Sequence, residues 1–123
     1  LYLVAFLATF TAPLVEEVIY RGILYSAFQK TFGVGLAILF VTIVFAAVHV
    51  PQYYPSYSTI FLICLLSLVL TLIRVWTGNL LPCIVLHTLF NGIQSLVLVL
   101  QSFLPQNSDS TPEPAAFIIH FIK

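Results

Sequence analysis

Two acidic residues stand side by side in an apolar stretch, "LVEEVIYRG" at residues 14–22, and an arginine follows four positions after the second. The fifteen residues upstream of Glu16 carry no charged side chain. An unpaired carboxylate in such surroundings is costly, so the two acids need a partner or a task. Glu17 and Arg21 have the i,i+4 spacing, acid first, that favours an ion pair along one helix. Glu16 is five residues from Arg21, about 140° away around a helix, and points elsewhere. The spacing therefore predicts one carboxylate with a local partner and one without. A bond between Glu16 and Tyr20, also i,i+4, is the purely structural alternative.

Two further segments bring matching chemistry. "FAAVH" (45–49) closes an apolar run with His49, and "HTLFN" (87–91) sets His87 and Asn91 one turn apart on one helical face. Glu, His and His-plus-Asn from three segments can satisfy one another around a water-accessible pocket. There Glu16 would act as general base, taking a proton from water as that water attacks a carbonyl. The His87 imidazole and the Asn91 amide would face the developing oxyanion. His49 would orient the water or pass a proton to the leaving amine. The alternative is a divalent metal such as zinc on Glu16, His49 and His87, with metal-bound water as the nucleophile. No H-E-x-x-H pair is present and Asn is a poor zinc ligand, so the reading adopted requires no metal. Cys83 lies four residues before His87; ordinary packing is a simpler role for it than a thiol–imidazole pair. Cys64 falls in mid-span, so a disulfide to Cys83 would need unusual packing, and His120 has no evident partner.

The elements that must position these residues are membrane helices. Of the 123 residues 61% are hydrophobic and 7% charged, against about 25% charged in an average soluble domain. No charged residue falls between Lys30 and Arg74, nor between Arg74 and Asp109. A span needs about 20 mainly apolar residues, so the first gap holds two and the second one. With zero net charge and no basic cluster, nothing points to nucleic acid. The fold class is all-α: a polytopic transmembrane bundle, about four helices enclosing a polar intramembrane site. The first helix runs from about Tyr2 to Lys30, with Pro13 bending it before the carboxylates. The others run from about Val34 to His49, Thr59 to Trp76 and Leu80 to Leu104. The second and third are joined by the Pro- and Tyr-rich "VPQYYPSYS" (50–58), and Gly78 stops the third. Polar stripes mark inward faces: Thr42 with His49; Ser67, Thr71 and Arg74; and His87, Asn91, Gln94 and Gln101. Ala46 and Ala47 would let a neighbouring helix come close. Residues 1–104 form the core, and residues 105–123 a polar loop and the start of another apolar segment, as in a piece of a longer protein.

Taken together, Glu16-Glu17-x-x-x-Arg21, Phe45-x-x-x-His49 and His87-x-x-x-Asn91, in that order on successive helices, resemble the CPBP family of intramembrane proteases. That family includes the CAAX prenyl endopeptidases and bacterial Abi and bacteriocin-immunity relatives, and "RVWTGNLLPCIVLHTLFN" (74–91) is similar to its run into the last motif. The resemblance implies an endopeptidase with Glu16 as base assisted by His49, with His87 and Asn91 at the oxyanion, and with Glu17 and Arg21 in support. It implies a membrane-bound or lipidated peptide substrate in the lipid bilayer, a bacterial cell membrane as the location, and no obligatory metal. Two other function classes compete: a non-catalytic scaffold or immunity protein, and an ion or proton pathway. Lys30 and Arg74 share one end, which the positive-inside rule makes cytoplasmic; CAAX-processing relatives imply the opposite orientation, and the sequence leaves both open.

Overall fold

The computed structural model describes residues 1–103, and within them it is helical with no strand. Four helices are long and apolar enough to cross a membrane: α1 (Tyr2–Phe32), α2 (Val34–Tyr53), α3 (Tyr57–Thr77) and α4 (Leu81–Gln101). The 104/105 boundary, the segment after it and His120 lie outside the described residues.

The turns explain the connectivity. A single residue, Gly33, separates α1 from α2, with φ 84° and ψ 171°, a region open essentially only to glycine. Gly78 ends α3 in the left-handed conformation at φ 63°, its N–H bonded to Arg74 O at 3.1 Å. Asn79 Oδ1 accepts from Leu81 N–H at 3.0 Å, and Pro82 sits harmlessly in the first turn of α4. Connections this short make sequential helices antiparallel neighbours. The cross-contacts agree: Phe28 stacks on Phe40 between α1 and α2, and Cys83 Sγ donates to Leu70 O at 3.3 Å between α4 and α3. Helix α4 runs antiparallel to α1, with Asn91 bonded to Ala8 and His87 to Glu17.

Helix boundaries differ by up to four residues from those the sequence predicts, and α1 runs to Phe32 rather than Lys30. Helix α2 continues past His49 to Tyr53, through Pro51. A proline in a last turn removes only one hydrogen bond, and the Tyr54 N–H to Val50 O bond at 2.9 Å still closes that turn. Helix α3 starts at Tyr57, and α4 is described to Gln101. Pro13 leads to a local change of register: Leu7–Thr11 and Val18–Leu24 are π-helical, and the carboxylates lie in the α-helical Ala12–Glu17 between them. Such stretches are uncommon and concentrate at functional sites.

An apolar cluster of Tyr25, Ala37 and Val41, flanked by Phe28, Ile38 and Val75, fills the end of the bundle nearest Lys30. Deeper in, the buried side chains turn polar: Glu17, Arg21, Ser67, Thr71 and His87 are buried beside Phe45 and Leu70. Most apolar surface faces outward, as lipid solvation requires. The stripe forecast on α4 is only partly inward, since Gln94 is exposed while Ser95 accepts a 2.9 Å bond from Thr9. Helices that cross at an angle carry their contact line around the surface, so it leaves the His87–Gln94 face. Ala46 is buried and Ala47 is not.

Candidate active site

The centre is built on the Glu17–Arg21 pair. The two side chains meet at 2.9 Å with no exposure, at the spacing the sequence predicts. A buried guanidinium must have its donors met, and α3 meets them. Arg21 Nη2 donates to Ser67 O at 3.0 Å and to Ser67 Oγ at 2.8 Å, and Nε reaches Thr71 Oγ1 at 3.4 Å. The Thr71 hydroxyl in turn donates to Ser67 O at 2.8 Å. Phe45 of α2 covers the other side, its ring centroid 4.7 Å from the Arg21 guanidinium carbon. One ion pair thereby joins three helices. The stripe of Ser67 and Thr71 was visible in sequence, but its partner was not.

His87 extends this network toward the second carboxylate. Its Nδ1–H donates to Glu17 Oε1 at 2.7 Å, so that oxygen holds both Arg21 and His87. Sequence reading had paired Glu17 with Arg21 alone. The remaining ring nitrogen, Nε2, lies 3.7 Å from Glu16 Oε2. The two acids differ sharply in access: the Glu16 side chain is 27% exposed and that of Glu17 is 0% exposed. Glu16 also interacts electrostatically with His49, and the Tyr20 and Tyr53 hydroxyls lie within its field.

His49 is fixed by its own helix. Its Nδ1–H donates to Phe45 O at 2.7 Å, one turn back, which leaves Nε2 as an acceptor. The Phe45 ring lies 4.6 Å from the His49 ring and 6.0 Å from that of His87, with Tyr20 packed edge-on at 4.9 Å. The phenylalanine of the second motif is therefore an apolar wall between the two imidazoles and the arginine, a role its spacing alone did not reveal.

Asn91 is one turn from His87, as predicted, but its amide has a specific anchor. Nδ2 donates to Ala8 O at 3.0 Å, across to the π-helical part of α1. Only the NH₂ side of the amide can meet a carbonyl, which fixes how the group is turned. Cys83 is spent on Leu70 O and on packing, and both cysteines are free thiols. Among the described residues no three His, Cys, Asp or Glu side chains converge as ligands of a metal. Glu16, His49 and His87 do not form such a set in this geometry.

Chemically, the site offers an open carboxylate beside one imidazole nitrogen, an accepting imidazole on the adjacent helix, and an anchored amide one turn away. These groups suit activation of water and stabilisation of an oxyanion. The family model described as "type II CAAX prenyl endopeptidase Rce1-like" matches residues 1–93, which include all three motifs. Neither a curated protein nor a solved structure matches the chain.

Proposed function

Because the chain belongs to the Rce1-like family of type II CAAX prenyl endopeptidases, and is an integral membrane protein by its four apolar helices, we propose that it hydrolyses a peptide bond through water activated by Glu16. The observation that carries this reading is the division of labour between the adjacent acids. Glu17 is buried and bonded to Arg21 and His87, while Glu16 is partly open and faces His87 Nε2. A base must be reachable by water, and a structural counter-ion need not be.

In the proposed reaction Glu16 takes a proton from a water molecule as its oxygen attacks the scissile carbonyl. His49 Nε2, an acceptor while Nδ1–H holds Phe45 O, orients that water through its second hydrogen. The negative charge that forms on the carbonyl oxygen is met by Asn91 and by His87 Nε2–H. To donate there, His87 must carry a proton on both nitrogens, and Glu16 and Glu17 are the counter-charges of that imidazolium. Protonated Glu16 then returns its proton to the leaving amine as the C–N bond breaks. Phe45 keeps the back of the site dry and strengthens each of these interactions. The substrate is a membrane-associated protein, bound or lipidated, presented to the exposed edge of Glu16.

The test is cleavage of a membrane-presented peptide library by the purified full-length protein, with and without chelator. Cleavage insensitive to chelator supports the glutamate mechanism. Cleavage lost on chelation moves the chemistry to a metal. No cleavage by a folded protein across a broad library favours the scaffold.

A further inference from the structure

The turn of α1 that contacts Asn91 has one main-chain carbonyl without its usual donor. In a helix, Ala8 O is met by the N–H of Ala12 in α register or of residue 13 in π register. The Ala12 N–H goes instead to Leu7 O, five residues back. Residue 13 is proline, which has no N–H. An orphaned carbonyl inside a membrane protein is costly, so it recruits a side-chain donor. That donor is Asn91 Nδ2 at 3.0 Å.

The surrounding contacts hold the two parts together. Thr9, next to Ala8, donates to Ser95 Oγ at 2.9 Å. A Cβ placed on Gly92 would meet Thr9 Cγ2 at 3.4 Å, so α1 and α4 touch closely beside Asn91. Pro13 itself is fully buried.

We infer that Pro13 is a positioning residue for Asn91: by removing the main-chain donor for Ala8 O, it creates the acceptor that turns the Asn91 amide. One amide hydrogen is held by Ala8, and the second is left, in a fixed direction, for the oxyanion. This rests on the reading of Asn91 given above. Pro13 touches no reacting atom and acts wholly through Ala8.

Selective ¹⁵N-asparagine labelling of the full-length protein in lipid nanodiscs tests it, alongside peptide cleavage. In the wild type, one Asn91 side-chain proton should be shifted downfield and exchange slowly with solvent. Pro13→Ala supplies an N–H five residues after Ala8. That substitution should abolish the shift and the protection, and lower kcat by up to about 100-fold with KM unchanged. Adding Asn91→Ala to Pro13→Ala should then cost less than the ~10²–10³ expected of Asn91→Ala alone. Rapid exchange of both Asn91 protons in the wild type, or identical Asn91 resonances in Pro13→Ala, would overturn the Pro13–Asn91 coupling. Wild-type turnover by Asn91→Ala would remove Asn91 from the mechanism and the catalytic sense of the inference with it, while the resonances would still report whether Pro13 sets the amide.

Discussion

Neighbouring residues of one type acquire opposite roles here through their angle on a helix. Glu17 points into a set of donors while Glu16 stays partly exposed, and on the proposed reading a rotation of one residue separates counter-ion from base. Breaking the buried pair should be expensive, since Glu17→Ala leaves the Arg21 charge uncompensated. A loss of about 3–5 kcal/mol is expected, read as a lower melting temperature in detergent. Ser67→Ala removes one of two acceptors for Arg21 Nη2 and should cost about 1 kcal/mol by the same measurement. The Glu17–Arg21 pair was legible in sequence because it is local, four residues apart on one helix. The Glu17–His87 and Arg21–Ser67 bonds were not, because they join positions 70 and 46 residues apart. Apolar residues on every face of these helices conceal which sides meet.

At the scale of elements, composition located the four spans and Gly78 the end of the third, whereas the prolines were harder to read. Pro51, expected in the connection of residues 50–58, lies inside α2, and Pro13, expected to bend α1, stands just after a π-helical stretch. Both follow from counting hydrogen bonds, since a proline costs little where its N–H has no acceptor or where a side chain takes over the freed carbonyl. The one-residue α1–α2 turn is more demanding. Gly33→Ala should destabilise by about 1–3 kcal/mol, measured by thermal denaturation, because its backbone conformation excludes a side chain. At the α1–α4 contact, Gly92→Ala should be tolerated, as its methyl only reaches ordinary contact with Thr9. Gly92→Leu should separate the helices, break the Asn91–Ala8 bond and reduce cleavage, with a kcat comparison as the check.

Over the described residues the molecule is a helix bundle with an apolar exterior and, beside an apolar cluster, a polar interior around the site. That inversion is a cost unless the buried groups bond one another, and Thr71, Ser67, Arg21, Glu17 Oε1 and His87 do so in turn, leading from α3 to the exposed edge of Glu16, while Glu17 Oε2 has no hydrogen-bond partner among the described residues. On this account the inner groups carry stability and the outermost carboxylate carries chemistry. The most direct measurement compares full-length Glu16→Gln and Glu17→Gln for cleavage of a membrane-presented peptide and for melting temperature. Glu16→Gln should lose turnover by about 10²–10⁴ with its melting temperature unchanged, and Glu17→Gln should melt at a lower temperature. Wild-type turnover by Glu16→Gln, or a loss of stability confined to that variant, would contradict the assignment of Glu16 as the base.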